Sequence, residues 1–407
     1  MNCRHCNEPL TKKFLDLGAQ PPSNSYLNCS DLRRQEQYFP LNIYVCDTCW
    51  LVQTEDYLGS DQFFTDNYAY FSSVSTSWVK HAMDYCEMAI NRFNLDYESF
   101  VVELASNDGY LLKNFLDAGI PCLGVEPTIS TAKKAEEKGI PVIREFFGSD
   151  LAKKNFNYKK ADLIIGNNVY AHVPDINDFT KGLKEALKED GVITLEFPHL
   201  MRLIEHSQFD TVYHEHFSYL SLSVVSCIFN KFGLRVFDVE ELSTHGGSLR
   251  IFGCHDGSQI TESPRVQEII ENEIKNGMAN ITTYHEFQAK AENVKNALVS
   301  FLIEQKNLGK TVAAFGAAAK GNTILNYAGI RSDLLSFVCD SATSKQGKFM
   351  PGSRIPIFHP NVLKERKPDY ILILPWNLAT EVMDANSFIR DWGAKFVVAV
   401  PEIRVLK

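Results

Sequence analysis

The sequence predicts an α/β protein built from three parts, and three observations support this prediction. The chain has 407 residues, which is too many for one ordinary hydrophobic core. Short apolar runs alternate with helical patterns in two separate stretches, a pattern typical of parallel strands joined by right-handed crossovers. The first 70 residues instead combine turn formers with short strand-like runs. We therefore expect a small module over 1–70 and two α/β parts over 71–260 and 261–407.

Composition excludes several classes of protein. Hydrophobic residues make up 45% of the chain, which is incompatible with a disordered or fibrous protein. The net charge of −9 lacks the overall positive charge expected of a protein that binds nucleic acid or an anionic membrane. No apolar run is long enough to span a bilayer, and the N-terminus lacks the apolar region of a signal peptide. We expect a soluble, cytoplasmic protein with neither nucleic acid nor membrane as partner.

The N-terminal module carries two C-x-x-C pairs, Cys3 with Cys6 and Cys46 with Cys49. Four thiolates suit tetrahedral Zn²⁺ and leave no open position for catalysis, so the spacing predicts a structural zinc site. The second pair, and the lack of a preceding thioredoxin-like unit, weaken a redox interpretation. Buried cysteines that bind no metal are the remaining alternative. Because the module has little core of its own, metal ligation would contribute to its folding free energy.

Hydrophobic patterns predict the elements of the first two parts. A strand is expected in the N-terminal module at residues 39–45, and a helix over 73–93 leads into the central part. The central strands are predicted at residues 100–104, 122–125, 161–166 and 191–197. The central helices are predicted at residues 110–118, 131–138 and 178–188.

The third part begins with a polar, charged stretch over 263–307, in which one or two long helices are expected. Strands and helices then alternate again. The strands of this part are predicted at residues 311–315, 334–339, 370–374 and 395–400. Its helices are predicted at residues 321–328 and 380–392.

The turn after the first central strand has the features of a nucleoside-binding turn. Glu103 lies near the end of the strand, and the small-residue turn 105–109 leads into a helix, at the sheet edge where doubly wound sheets bind ligands. The next strand ends at Glu126, whose carboxylate can accept both hydroxyls of an unphosphorylated ribose. The turn lacks the G-x-G-x-x-G pattern that holds a pyrophosphate, which favours S-adenosylmethionine over NAD. An ordinary turn in a sheet without cofactor is the alternative.

A second segment, 213–216, has the sequence Tyr-His-Glu-His. In an extended strand His214 and His216 would share one face, opposite Tyr213 and Glu215, whereas a turn would mix them. Histidine is the commonest general base, so the segment indicates acid–base catalysis. A metal site with three ligands and a polar loop with hydrogen-bonded histidines are the alternatives. His172 follows the predicted strand 161–166 and is expected near the ligand-binding edge of the sheet.

A third segment, 315–323, follows a predicted strand and has only small side chains before Lys320. Its backbone N–H groups and the Lys320 ammonium suit a phosphate or pyrophosphate. The order of lysine and glycine differs from that of a Walker A motif. A nicotinamide cofactor is a further possibility, with Asp340 after the next strand as a ribose ligand.

Together these motifs form an ordered set along the whole chain. Besides the double C-x-x-C, the set comprises residues 68–73, 103–109, 124–127, 168–175, 213–220, 244–250, 315–323, 345–352 and 374–377. In this order and spacing they resemble the sugar C-methyltransferases that act on nucleotide-linked 4-keto-deoxy sugars, the group that includes the C-3′-methyltransferase of tetronitrose biosynthesis. One departure is Ala105, where methyltransferases usually carry glycine.

The resemblance implies an enzyme with a Rossmann-like, S-adenosylmethionine-dependent methyltransferase domain in the centre and a Rossmann-like nucleotide-sugar domain at the C-terminus. It implies that His216 removes the proton at C3, which the C4 ketone acidifies, and that the resulting carbanion attacks the methyl group. Tyr213, Glu215 and His172 would orient the base, bind the sugar or stabilise the enolate oxygen. Tyr68 or Tyr70 would reach over the site as part of a lid.

The remaining expected contacts follow from the same motifs. The predicted cofactor contacts are Glu103, Ala105, Asn107, Gly109, Glu126 and Asn168. The predicted contacts to the nucleotide-diphosphate sugar are His245, Arg250, Lys320, Asn322, Thr323, Lys345, Trp376 and Asn377.

Three other functions fit the sequence less well. Methyl transfer to an oxygen or nitrogen of a related sugar is the nearest. A zinc-containing nucleic-acid-binding protein conflicts with the acidic charge, and an NAD-linked dehydrogenase would use the third part alone. Because three separate cores are expected, the sequence also favours a monomer.

Overall fold

The computed structural model describes residues 1–57, residue 59 and residues 71–406. Within these residues the predicted α/β class is confirmed. Tyr68 and Tyr70 lie outside the described residues. None of the described helices is long and apolar enough to cross a membrane.

The N-terminal module is an antiparallel sheet in the order β1-β2-β3-β9. Its strands are β1 (Lys12–Gln20), β2 (Phe39–Val45), β3 (Val52–Thr54) and β9 (Ser218–Tyr219). In β2 every second side chain is buried, as expected of a sheet with one face against a core. The last strand comes from the middle of the chain, directly after the Tyr-His-Glu-His segment. The module is therefore completed by residues outside 1–70.

The central sheet has the order β10-β11-β8-β7-β4-β5-β6, with β4 to β8 parallel and β10 and β11 antiparallel. Its strands are β4 (Val101–Leu104), β5 (Cys122–Val125), β6 (Val142–Ile143), β7 (Ala161–Asn167), β8 (Leu187–Pro198), β10 (Leu234–Leu242) and β11 (Ser248–His255). Its helices are α1 (Thr76–Phe93), α2 (Leu112–Asp117), α3 (Ile129–Glu137), α4 (Ser149–Phe156), α5 (Ile176–Ala186), α6 (Leu200–Glu205) and α7 (Leu222–Lys231). All of β4 is buried, as expected of a strand with helices on both faces.

The C-terminal sheet has the order β14-β13-β12-β15-β16-β17 and is parallel except for β17. Its strands are β12 (Val312–Phe315), β13 (Val338–Cys339), β14 (Ile357–Phe358), β15 (Tyr370–Ile373), β16 (Lys395–Val398) and β17 (Arg404–Leu406). The helices of this half are α8 (Pro264–Lys275), α9 (Ile281–His285), α10 (Phe287–Asn307), α11 (Ala319–Tyr327), α12 (Val362–Arg366) and α13 (Ala379–Ala385).

Two predicted elements of this half are wrong in extent. The strand expected over 334–339 is reduced to Val338–Cys339, because the backbone of Leu335 bonds back to Arg331 in a turn. The helix expected over 380–392 ends at Ala385 and is followed by a 3₁₀ turn, Ser387–Trp392.

The expectation of three separate cores is also wrong. One buried cluster contains side chains from β1, from α6 and from the long helix α10, together with side chains of the C-terminal sheet. Phe14 of β1, for example, stacks on Phe287 of α10 with ring centroids 4.8 Å apart. The first and third parts therefore share hydrophobic surface, and the argument for a monomer from separate cores does not hold.

Candidate active site and zinc centre

The four predicted zinc ligands converge in the structure. The sulfur atoms of Cys3, Cys6, Cys46 and Cys49 lie within 4.8 Å of one another. The two C-x-x-C loops repeat one backbone conformation: the N–H after each second cysteine, at Asn7 and Trp50, donates to the carbonyl of the first cysteine, and both residues have positive φ. Four sulfur atoms on two matching loops fit tetrahedral Zn²⁺.

The predicted cofactor turn has a left-handed backbone at three positions, Ala105, Asn107 and Gly109, with φ of 55°, 49° and 72°. At Gly109 a Cβ would also come within 2.4 Å of the Ile140 side chain, so glycine is required there for two reasons. Ala105, the departure from the usual pattern, adopts a conformation that glycine reaches without steric cost.

Two buried carboxylates border this turn. Glu103 Oε2 has no hydrogen-bond partner among the described residues, and burial, with Glu126 and Asp108 nearby, raises the pKa of Glu103 well above its usual value. The Glu126 oxygens accept from the backbone N–H groups of Asn107 (3.0 Å) and Thr128 (2.9 Å). A buried carboxyl oxygen without a partner next to this turn fits a ligand that donates hydrogen bonds, as the ribose and ammonium groups of S-adenosylmethionine do.

Asn168 directly follows β7. It connects the carboxyl ends of the parallel strands to the turn between β10 and β11. Its backbone N–H donates to the carbonyl of Glu196 (2.7 Å), and its side-chain amide lies 3.3 Å from His245 Nε2. The two residues predicted for different ligands, cofactor and sugar, are therefore in contact.

Glu196, at the end of β8, is the centre of a buried polar network. Its carboxylate pairs with His81 Nε2 (2.9 Å) and with the Arg250 guanidinium (3.1 Å), and it accepts from the Thr244 hydroxyl (3.1 Å). Arg250, predicted to bind substrate, also pairs with Glu240. The Arg250 charge is thus balanced by acidic side chains of the protein.

The predicted catalytic residues converge, although not in the extended arrangement. The backbone turns at 213–216, where the His216 N–H donates to the Tyr213 carbonyl. The His216 ring lies 4.0 Å from the Tyr213 ring and 4.6 Å from the His172 ring, measured between centroids. His214 instead bonds through Nε2 to the carbonyls of Phe39 and Pro40, so the two histidines of the segment do not share a face.

Hydrogen bonds define the tautomers of the two clustered imidazoles. His216 Nδ1 donates to the Thr211 carbonyl (2.9 Å), and His172 Nδ1 donates to the Glu215 carbonyl (2.7 Å). A neutral ring that donates from Nδ1 carries its lone pair on Nε2. Burial lowers the pKa of His172 to about 4, and burial next to His172 lowers that of His216 well below its usual value. At neutral pH both rings are therefore uncharged.

Glu215 is held by a residue of the N-terminal module. Both carboxylate oxygens accept from the side-chain amide of Asn24, each at 2.8 Å. Burial nevertheless raises the pKa of Glu215 to about 7. The carboxyl group can therefore change its protonation state near neutral pH.

The C-terminal part contributes a cation to this site. Lys320, at the start of α11, donates to Asn377 Oδ1 (2.6 Å) and lies over the Trp376 ring at 4.5 Å. Trp376 Nε1 donates to the buried carboxylate of Asp210 (2.8 Å). Burial lowers the pKa of Lys320 to about 8. Burial, together with the Lys320 charge, lowers the pKa of His245 to about 4. The lysine, the tryptophan and the asparagine predicted for the substrate are brought together, within electrostatic reach of the histidines.

The other three residues predicted for the sugar nucleotide contact protein atoms. Asn322 Nδ2 donates to the Ser23 carbonyl (2.6 Å), and the Thr323 hydroxyl donates to the Val212 carbonyl (2.8 Å). Lys345 donates to the Ala317 carbonyl (2.8 Å). The bonds of Asn322 and Thr323 join the third part to the first two, whereas that of Lys345 lies within the third part. The predicted role of these three residues in binding substrate stays a prediction.

Sequence reasoning missed Asn24, His81, Glu196 and Asp210. Each has a hydrogen-bond partner more than 100 residues away along the chain, and no local pattern specifies that partner. The one available signal was the position of Glu196 at the end of a predicted strand.

Comparison with known proteins agrees with this arrangement. Three family models match: "Putative zinc binding domain" over residues 3–64, "Methyltransferase domain" over 78–239 and "C-methyltransferase C-terminal domain" over 243–401. The C-methyltransferase NovU of Streptomyces niveus is 34% identical over 405 residues, covering 99% of this chain and 96% of the relative.

Among solved structures, an S-adenosylmethionine-dependent methyltransferase of Clostridium acetobutylicum is 16% identical with a TM-score of 0.37, over 44% of this chain and 92% of the other. The magnesium protoporphyrin IX methyltransferase of Synechocystis PCC 6803, solved with S-adenosylmethionine bound, is 14% identical with a TM-score of 0.34, over 44% and 79%. The family assignment rests on the family models and the Streptomyces relative. The chain belongs to the C-methyltransferase family and is an S-adenosylmethionine-dependent enzyme with an N-terminal zinc-binding domain.

Proposed function

We propose that the enzyme methylates C3 of a nucleotide-linked 4-keto-deoxy sugar, with His216 as the base. The observation that carries this proposal is the His216 ring: its Nδ1–H donates to Thr211, so its Nε2 lone pair is available beside Tyr213 and His172. A base with a fixed tautomer is what removal of a proton next to a ketone requires. The similarity to a named C-methyltransferase supports a carbon as the acceptor.

The residues around His216 supply the other functions of the reaction. Bound S-adenosylmethionine provides an electrophilic methyl group. His216 Nε2 takes the C3 proton, and the negative charge that develops on the C4 oxygen favours the imidazolium that forms. The Tyr213 hydroxyl donates to that oxygen, and His172 and Glu215 help to bind the sugar or to orient the base.

Lys320 is proposed to bind the diphosphate. It is a cation close to the histidines in a protein of net negative charge, and its ammonium already lies against Trp376 and Asn377. An anionic ligand would favour the charged form of Lys320, whose pKa is lowered to about 8 without it. The cytoplasmic location and the monomeric state stay predictions.

The test is exchange of the C3 proton with solvent. Wild-type enzyme with S-adenosylhomocysteine, in D₂O, should wash out that proton from a thymidine- or guanosine-linked 4-keto sugar, as followed by NMR. His216→Asn should lose both exchange and methyl transfer, with an affinity for S-adenosylmethionine near that of wild type in calorimetry, because the base acts only in the transition state.

His206→Asn provides a matched control, since His206 is exposed. Exchange at the wild-type rate in His216→Asn would remove His216 from the role of base. If any of these proteins transfers the methyl group while the C3–H bond stays intact, the acceptor is an oxygen or nitrogen instead.

A further inference from the structure

The second zinc loop leads into β3, and β3 is hydrogen-bonded to the backbone that follows the catalytic segment. Strand β3 begins three residues after Cys49 and pairs with β9, placing Gln53 opposite Ser218. At the end of β3, the Thr54 N–H donates to the Phe217 carbonyl (3.1 Å) and its hydroxyl donates to the His216 carbonyl (3.1 Å). The position of the His216 backbone therefore depends on the position of β3.

The first zinc loop reaches the same region through Arg4, which lies between Cys3 and Cys6. Only 7% of its side chain is exposed, and the guanidinium donates to the carbonyls of Thr54 (3.0 Å) and Pro174 (2.6 Å). Pro174 follows His172 by two residues. One side chain of a zinc loop thus holds the backbone beside both clustered histidines.

Gln53 joins the sulfur cluster to this arrangement. It is fully buried, its amide Nε2 donates to Cys3 Sγ (3.2 Å), and its Oε1 accepts from the Arg4 N–H (2.9 Å). A donor to a metal-bound thiolate orients the ligand and offsets part of its charge. Ligation at Cys3, the orientation of Gln53 and the position of Arg4 are therefore connected by hydrogen bonds.

The two histidine segments are also bonded to each other. The Phe217 N–H donates to the Ala171 carbonyl (2.8 Å), in addition to the bond from His172 to the Glu215 carbonyl. A displacement of either segment is therefore transmitted to the other.

We propose that Arg4 and Gln53 are positioning residues that make the geometry of the His172–His216 pair depend on zinc ligation. In this view the metal does more than hold the N-terminal module together, because its loops set the position of the base. The catalytic consequence rests on the proposed function, whereas the coupling of zinc to the two rings does not.

The test uses the full-length zinc enzyme and two substitutions that keep side-chain size. Arg4→Lys retains the charge but replaces the two guanidinium nitrogens that reach the two carbonyls by a single nitrogen, and Gln53→Met removes the hydrogen bonds of the amide. Arg34→Lys and Gln35→Met are matched controls on exposed residues of the same module. Zinc content, the rate of zinc release to a chelator, ¹⁵N NMR of the histidine rings, calorimetric affinity for S-adenosylmethionine, kcat and KM are measured.

We expect both variants to bind one zinc and to keep their cofactor affinity, while the Nδ1–H signal of His216 moves or broadens. The rate of zinc release from Gln53→Met should rise. In both variants kcat should fall by about 10- to 100-fold, with KM near that of wild type. An unchanged His216 signal in both variants would overturn the proposal and leave zinc a purely structural role. If the signal changes but the wild type shows no C3 exchange, the coupling stands and the proposed function fails.

Discussion

At the scale of single residues, the candidate site contains several ionisable groups whose charged form is disfavoured by burial. His172 and His245 have their pKa lowered to about 4, mainly by desolvation, and Glu215 has its pKa raised to about 7 for the same reason. Neutral imidazoles accept protons, and a carboxyl group poised near neutrality can donate or accept one. A sequence reveals these residue types but not their burial.

Glu215→Gln should reveal the burial of this carboxyl group as a pH-dependent difference in stability. In wild type the folded state binds the proton more tightly than the unfolded state, whose pKa is near the ordinary 4.5. Stability relative to the variant should therefore be constant below about pH 4.5, fall as pH rises to 7, and be constant above. The total change should be on the order of 3 kcal/mol.

Urea denaturation of both proteins at pH 4, 5, 6, 7 and 8 measures this difference. A gap between the two unfolding free energies that stays constant over this range would show that Glu215 is not perturbed in the folded state.

At the scale of elements, short turns bring the three parts into contact. The turn between β10 and β11 contains His245 and presses against the C-terminal part at Gly246, where φ is +90° and a Cβ would lie 2.4 Å from the Trp376 ring. The Gln208 amide donates to the Gly246 carbonyl at 2.7 Å. This close approach places the Trp376 ring, over which the Lys320 ammonium lies, next to the central sheet.

Gly246→Ala should therefore destabilise the protein by more than about 1 kcal/mol, because both the backbone conformation and the space are unsuited to a side chain. It should also raise KM for the sugar nucleotide if Trp376 and Lys320 bind it. Gly257→Ala is the control, since nothing lies within 4 Å of a Cβ there and φ is outside the left-handed region. Urea midpoints measure the stability of the two variants, and steady-state kinetics measure their KM. Equal changes in stability and in KM in the two variants would show that the contact with Trp376 is unimportant.

At the scale of the whole molecule, the N-terminal module and the C-terminal part fold against each other. Phe14 of β1 lies in one cluster with α10 and the C-terminal sheet, stacked on Phe287 and edge-on to Tyr284 at 5.7 Å. Buried aromatic contacts of this kind couple the stability of the two parts. The predicted catalytic segment lies between them, because His214 bonds to the Phe39 carbonyl of the N-terminal module and the neighbouring Val212 carbonyl accepts from Thr323 of the C-terminal part.

Phe14→Ala should cost about 3–5 kcal/mol and should increase amide exchange in α10 as well as in the N-terminal sheet. Phe115→Ala, in a different buried cluster, should cost a similar amount without a selective effect on α10. Hydrogen exchange followed by mass spectrometry distinguishes the two patterns. Exchange in α10 that is unaffected by Phe14→Ala would indicate independent parts.

The sequence alone determined the α/β class, the zinc ligands and most of the central strands, because periodicity and C-x-x-C spacing are local properties of the chain. It also predicted the histidine segment and the cofactor turn as candidate sites. The tertiary structure decided that β9 completes the N-terminal sheet, that β10 and β11 run antiparallel, and that Asn24 holds Glu215. It also separated His214 from His216 and placed side chains of all three expected parts in one buried cluster. These features depend on contacts between residues far apart in the chain, and no local pattern specifies which distant partner a buried group will meet.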